Sequence, residues 1–131
     1  MPIDYKIYED KKLVLATGHG VITAAEVIAH LDAVAADERY QSPMKKLVDY
    51  RDVENIEGSI NEQRAIAWKK KQHHERFAGE KCAFVSPKDV IFGTTRMHES
   101  LVNETDYNMN VFRNIDDALA WLDVTLDETG E

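Results

Sequence analysis

The feature that most limits the fold of this chain is a run of four consecutive apolar residues, Cys82 to Val85. Successive residues of a strand point to opposite faces, so neither face of this strand can be exposed to water. Such strands lie in the middle of a sheet that is covered on both sides. Ser86 and Pro87 follow, and proline is favoured in the first turn of a helix. The stretch Lys81 to Val102 therefore predicts a buried strand, a turn and an amphipathic helix, and with them a layered α/β fold.

The rest of the chain alternates between the period of two that is typical of strands and the period of three to four that is typical of helices. Two capping-box patterns, Thr23 with Glu26 and Ser59 with Glu62, each indicate the start of a helix. Gly79 is a predicted helix stop, and the segment Gly18 to Gly20 predicts a bulge or a loosened strand. The predicted strands are 3–8, 13–17, 46–50, 82–85 and 109–112, and the predicted helices are 24–35, 60–77, 87–102 and 115–122.

The connections between these elements predict the topology of the sheet. A short polar turn joins the first two strands, so they should form an antiparallel hairpin. A helix precedes each later strand, and such connections favour parallel pairing. The fold class predicted is α/β: a single-layer, mixed, five-stranded sheet flanked by four helices. Residues 1–123 form the one predicted domain, and residues 124–131, which are acidic and have lost periodicity, are predicted to be a frayed tail.

Charge and composition exclude several classes of partner. The net charge of −8 repels phosphate backbones and anionic lipids, so neither nucleic-acid binding nor membrane insertion is expected. No apolar run approaches the ~20 residues that a membrane span requires, and the N-terminus lacks the order of a signal peptide. The single cysteine suits a reducing cytoplasm, which is the predicted location. The basic run Lys69 to Lys71 is interpreted as a solvated helix face.

No set of residues in the sequence indicates catalysis or a metal. Two metal ligands on one helix face are three or four residues apart, whereas His73 and His74 are adjacent and diverge. Cys82 lies inside the buried strand. Ser86 is not flanked by glycines, as a catalytic serine is when it is exposed on the sharp turn between a strand and a helix. The carboxylates are spread over loops and helix surfaces. We therefore expect no enzyme, no metal site and no cofactor.

Two groups of residues are candidates for binding. The first consists of His19, Asp49, Arg51 and Ser86, which the topology places near the carboxyl ends of the strands, where open α/β sheets commonly hold ligands. The alternative is that Asp49 and Arg51 only secure their loop by hydrogen bonds. The second group is a predicted contact surface of Phe92, Arg96 and Glu99 on the outer side of helix 87–102, with Trp68 near it. Aromatic residues and arginine are favoured at protein interfaces, so this surface predicts a protein partner or a homodimer.

Several segments, together with the order of the elements, resemble the SpoIIAA-like family of small bacterial proteins. The matching segments are Leu47–Val53, Phe84–Asp89, Phe92–Met97, Val111–Arg113 and Ala118–Leu122. STAS domains and CRAL-TRIO lipid-binding domains share this fold, and the resemblance covers Ile3 to Leu122. Its uncharacterised branch is more similar to this chain than its signalling branch. The resemblance implies a non-enzymatic regulatory or protein-interaction module of the STAS type.

The two better-known branches of the family imply two further expectations. In the signalling branch, an anti-sigma-factor antagonist is switched by phosphorylation of a serine in an Asp-Ser-Ser-Gly motif, and Ser59 lies near that position. Glu57, Gly58 and Ile60 depart from the motif, which favours a plain helix cap over a phosphosite at Ser59.

In the CRAL-TRIO branch the fold encloses a lipid between the sheet and the helices. The alternative function for this chain is a small carrier or sensor of an apolar or carboxylate ligand, bound at the carboxyl ends of the strands near His19, Asp49, Arg51 and Ser86. A chain of 131 residues leaves little to build a lid, so such a pocket would be small.

Overall fold

The computed structural model describes residues 3–86 and 108–125, together with Lys88 and Gly93. These residues form the strands β1 (Ile3–Tyr8), β2 (Leu13–Thr23), β3 (Lys45–Glu57), β4 (Lys81–Val85) and β5 (Asn108–Phe112). They also form the helices α1 (Ala24–Ala36), α2 (Ile60–Gln72), α3 (His74–Phe77) and α4 (Ile115–Leu122). The predicted helix 87–102 falls outside the described residues, apart from Lys88 and Gly93, and so does most of the predicted tail.

The five strands form one sheet in the order β1-β2-β3-β4-β5. The first pair is antiparallel and the other three pairs are parallel, which confirms the predicted mixed sheet. Strand β4 lies between β3 and β5, and all four residues from Cys82 to Val85 are buried. The prediction that this strand is internal to the sheet and covered on both faces is therefore confirmed.

Each face of the sheet has its own apolar core. On one face, Leu31 and Val34 of α1 and Ile66 of α2 pack with Val48 and Phe84 of the sheet. On the other face, the α4 residues Ala118 and Leu122 pack with the strand residues Leu47, Ala83 and Val85. The alternation of side chains along β3 and β4 supplies both cores, because adjacent residues point to opposite faces.

The pairing of β2 with β3 is irregular where the glycines occur. Its register shifts between Thr17 and His19 and again after Gly20, which confirms the predicted bulge. A side chain at Gly18 would place its Cβ 2.7 Å from Ile22 and 2.8 Å from the Tyr50 ring. Only glycine fits this close approach without a shift of the neighbouring side chains. Both strands continue beyond the irregularity, so they are longer than predicted.

The predicted helix 60–77 is interrupted at His73, which ends α2 and precedes the single turn of α3. This break allows Phe77 to be fully buried, with its ring edge-on to Tyr40 at 5.5 Å. Gly79, at a φ of +77°, ends the segment as predicted. The prediction that Lys69 to Lys71 form a solvated helix face is wrong for Lys70, which is buried. Ile60, the first residue of α2, is 43% exposed.

Candidate functional site

Of the four predicted ligand residues, only Ser86 directly follows the end of a strand, β4. The strands are longer than predicted, so His19 lies inside β2, and Asp49 and Arg51 lie inside β3 rather than at its carboxyl end. Asp49 and Arg51 form hydrogen bonds with each other.

Asp49 is paired in register with Thr17 on one side and Val85 on the other. Its Oδ2 accepts a hydrogen bond from Arg51 Nη2 at 2.7 Å, and its Oδ1 accepts one from Arg51 Nε at 2.9 Å. The hydrogen bonds that Arg51 donates to Asp49 raise the pKa of Arg51 above its usual value. This geometry favours the alternative in which the two residues secure each other.

The other two predicted ligand residues differ in accessibility. Ser86 is fully buried, and its amide donates to the Phe112 carbonyl at 2.9 Å. His19 is exposed and is paired in register with Asp52, beyond the bulge in β2. The structure therefore does not enclose the four residues in one pocket among those described. Binding of a ligand at this edge of the sheet stays a prediction.

The predicted contact surface lies mainly outside the described residues, because Phe92, Arg96 and Glu99 are not among them. Trp68 is described, and it is 59% exposed on α2. Ile60, Arg64 and Trp68 are four residues apart along α2, so their side chains share one helix face. Lys71 lies with its Nζ 5.9 Å from the centre of the Trp68 ring. We call Ile60, Arg64, Trp68 and Lys71 the exposed α2 face.

Ser59 is the N-cap of α2. Its hydroxyl accepts a hydrogen bond from the Glu62 amide at 3.2 Å, and Glu62 Oε1 accepts one from the Ser59 amide at 3.1 Å. This reciprocal arrangement satisfies two amide groups that the first turn of the helix leaves unpaired. Ser59 is exposed, so the predicted capping role and access to its hydroxyl coexist.

A group of buried charged side chains lies on the opposite side of α2 from the exposed α2 face. Lys46 of β3, Lys70 of α2 and Glu80 are each at most 4% exposed. Lys70 Nζ is 3.0 Å from Glu80 Oε1, as an ion pair, and the Tyr40 hydroxyl donates to Glu80 Oε2 at 2.6 Å. We call Tyr40, Lys46, Lys70 and Glu80 the buried ionic cluster. A hydrophobic core rarely encloses so many ionisable groups unless they are paired.

Burial and mutual contact change the acidity of these groups. Burial alone would raise the pKa of Glu80, but Lys70, Lys46 and Tyr40 outweigh it and hold that pKa below its usual value. Burial lowers the pKa of Lys46, and Lys70 adds to this effect. Burial also raises the pKa of the Tyr40 hydroxyl and of the Cys82 thiol. The cluster thus has one anionic member, Glu80, between two lysines.

His30 of α1 lies beside this cluster and is 9% exposed. Burial lowers the pKa of its imidazole to about 2, and Lys46 and Lys70 contribute to the same shift. His30 is therefore neutral at physiological pH. Its ring is edge-on to Tyr5, with the ring centres 5.5 Å apart.

Two cavities share His30 and Ile3 in their walls. The outer one is a cleft of about 280 Å³ between β1 and α1, whose rim includes Asp4 and Glu26. The inner one has a volume of about 20 Å³ and is lined by residues that include Lys46, Lys70 and Cys82. Within the part of the chain that the structure describes, no three His, Cys, Asp or Glu residues are grouped as metal ligands would be.

The fold was compared with known proteins. No family model and no curated protein matches the sequence. Among solved structures, an uncharacterized protein of the DUF3478 family from Shewanella loihica PV-4, described as having a SpoIIAA-like fold, superposes with a TM-score of 0.54. It is 18% identical, and the match covers 92% of this chain and 91% of that one. The chain has the SpoIIAA-like fold. This result confirms the predicted resemblance at the level of the fold.

A second structure with this fold is the anti-sigma factor antagonist SpoIIAA in its unphosphorylated form. Its TM-score is 0.50 and its identity to this chain is 8%, over 88% of this chain and 91% of SpoIIAA. Among the described residues of the present SpoIIAA-like chain, none of the helices is both long and apolar enough to cross a bilayer.

Sequence reasoning missed the buried ionic cluster and His30. The sequence patterns place Lys46 in a strand and Lys70 on a solvated helix face, and no pattern singles out His30. The signal for Lys46 was its position two residues before Val48 and four before Tyr50, since these alternate residues of a strand share a face. Lys70 is similarly three and four residues beyond Ala67 and Ile66, which places it on the buried side of α2.

Proposed function

We propose that this SpoIIAA-like chain is a non-enzymatic regulatory module of the STAS type that acts by binding another protein. The fold supports the proposal, because one protein with this fold is an anti-sigma factor antagonist. The observation that carries it is Trp68, a large apolar side chain that is 59% exposed at the centre of a helix face. Tryptophan is among the residues that contribute most to binding at protein interfaces.

The charge of this face indicates the chemistry of the partner. The whole chain has a net charge of −8, yet Arg64 and Lys71 flank Trp68. No carboxylate of the described residues forms an ion pair with either of them. Lys69, by contrast, is 3.5 Å from Asp32. The exposed α2 face is thus an apolar centre with positive flanks on an acidic protein, and it suits an acidic protein surface.

We expect Trp68→Ala to weaken partner binding by roughly thirtyfold or more, as replacement of a central interface residue does. A photo-crosslinking amino acid at position 68 in cells identifies the partner, and calorimetry with the purified pair then measures the affinity. Val21→Ala is the matched control, because Val21 is also exposed but lies on β2. Its affinity should stay within about twofold of the wild type.

Two outcomes would contradict the proposal that the exposed α2 face binds the partner. One is an unchanged affinity in Trp68→Ala, and the other is a crosslink at position 21 but none at position 68. If the crosslinked partner is a second copy of the chain, sedimentation of the wild type and of Trp68→Ala measures self-association. That result would replace the acidic partner with a homodimer, which the sequence also predicted.

Phosphorylation of Ser59 would regulate the same surface. Its hydroxyl is exposed at the first turn of α2, directly before Ile60 of the exposed α2 face. A phosphate there would be favourable for the helix terminus but would repel an acidic partner. Phosphorylation would thus oppose binding while α2 remains folded.

We expect Ser59→Asp to lower the affinity for the partner by roughly three- to tenfold, because it adds a negative charge beside the interface. Ser59→Asn is the matched control, since Asn and Asp cap helices equally well and differ here only in charge. Its affinity should equal that of the wild type. Equal binding by all three proteins would refute regulation at Ser59, whereas equal loss in both variants would indicate a requirement for the serine itself.

A further inference from the structure

The inner cavity, between α1, α2 and the sheet, is lined by more positive than negative groups. Lys46 and Lys70 contribute two ammonium groups, and Glu80 is the one carboxylate of the buried ionic cluster. Burial raises the pKa of the other acids nearby, Cys82 and Tyr50, so they stay protonated. With both lysines charged, the described residues around this cavity carry one more positive than negative charge. An uncompensated charge in a protein interior costs several kcal/mol.

Two nitrogen atoms at this cavity have no counterpart among the described residues, and the His30 nitrogen is a donor in the tautomer with its proton on Nε2. Lys46 is 3% exposed, and none of the ion pairs of the described residues includes its ammonium group. The Nε2 atom of His30 is also buried and has no hydrogen-bond partner among them. Buried polar groups are nearly always paired, and exceptions in folded proteins often mark the position of a water molecule or an ion. Both groups line the same cavity of about 20 Å³.

The size of the cavity limits what can occupy it. A cavity needs a volume of about 10–15 Å³ to hold one water molecule. The inner cavity, at about 20 Å³, therefore admits one particle of roughly that size and excludes phosphate, sulfate and carboxylates with an organic body. The larger cleft outside it has carboxylates of Asp4 and Glu26 at its rim, which do not attract large anions.

We propose that the inner cavity binds a single halide ion, chloride under ordinary conditions, between the Lys46 ammonium and the Nε2–H of His30. The ion supplies the missing negative charge and accepts from both unpaired donors. Lys70 lies on the same cavity and adds to the positive potential while it remains paired with Glu80. His30 acts as a neutral donor, which agrees with its burial. Neither Lys46 nor His30 belongs to the exposed α2 face, so the site can be tested without a protein partner.

Thermal unfolding in salts of different anions tests the site. At constant ionic strength, sodium chloride and sodium bromide should raise the unfolding temperature in a saturable way relative to sodium gluconate, whose anion is too large for the cavity. Binding to the native state alone produces such a shift. In Lys46→Met, the halide-specific shift should be lost, or its midpoint should move to at least about tenfold higher concentration.

The matched control is Lys45→Met, the neighbouring residue of β3, whose Nζ donates instead to the Asp123 carbonyl at 3.3 Å. It should keep the full halide shift. If Lys46→Met does not fold, His30→Leu removes the second donor and should weaken halide binding. In crystals grown with bromide, anomalous scattering should place an ion between Lys46 and His30.

Equal unfolding temperatures in chloride and gluconate would overturn the proposal. The cavity would then hold a water molecule beside an uncharged Lys46. A halide shift that persists in both Lys46→Met and His30→Leu would also overturn it. The same holds for a bromide signal found only on the protein surface.

Discussion

Glu80→Gln is expected to destabilise the protein by about 3–5 kcal/mol, the usual cost of removing one partner of a buried ion pair. The carboxylate is 3% exposed, and it is the anionic member of the buried ionic cluster. Glutamine keeps the shape but removes the negative charge that pairs with Lys70 and lies near Lys46. Urea unfolding in the wild type and the variant measures the loss.

Two controls separate this effect from a general effect of the substitution. Glu75→Gln makes the same chemical change at an exposed position of α3, and its stability should stay within about 0.5 kcal/mol of the wild type. Lys70→Met combined with Glu80→Gln removes both charges of the pair and should recover part of the loss. A loss below about 1 kcal/mol in Glu80→Gln would show that the carboxylate is not the counter-charge of the interior.

The second large effect is a loss of stability in acid caused by His30. Its pKa is about 2 in the folded chain, against 6.5 for an ordinary histidine, because of burial and of Lys46 and Lys70. Between these values the unfolded chain binds a proton that the folded chain does not bind, so acid favours unfolding. The expected slope is about 1.4 kcal/mol per pH unit, or roughly 3 kcal/mol over the first two units below 6.5.

Urea unfolding at a series of pH values in gluconate buffer measures this slope without a halide beside the ring. His30→Leu should show a correspondingly shallower dependence on pH, because leucine has no proton to bind. His19→Leu changes an exposed histidine and should keep the wild-type slope. Glu80 adds a further loss at lower pH, as its carboxylate is protonated below the usual carboxylate range. Parallel curves for the wild type and His30→Leu would contradict a buried neutral histidine.

The central part of the fold was predictable because local patterns carry it. The apolar run Cys82 to Val85 specified a strand covered on both faces, and the structure places it between β3 and β5. The capping boxes at Thr23 and Ser59 were visible as spacings of three residues, and both are formed. Such features depend on residues close in sequence, so they can be recognised without knowledge of the tertiary contacts.

The buried ionic cluster was not predictable in the same way, because its members come from separate elements. Glu80 lies in the connection between Gly79 and β4, where no periodicity indicates which way a side chain points. Its partners are Tyr40, before β3, and Lys70 in α2. A charged residue is normally assigned to the surface, and only the tertiary contacts show that these three compensate one another. The Asp49 and Arg51 pair was foreseen as an alternative because its members are two residues apart.

Helix α2 connects the proposed partner surface with the proposed ion site. It bears Trp68 on its outer side and Lys70 on its inner side, and these residues are only two positions apart. A rigid helix cannot rotate or slide at one of them without moving the other. If a partner displaces α2, the affinity of the interior for its ion changes, and thermodynamic reciprocity requires that ion to change the partner's affinity by the same factor. The halide concentration around the protein would then affect partner binding, because one turn of α2 contacts both the interior and the solvent.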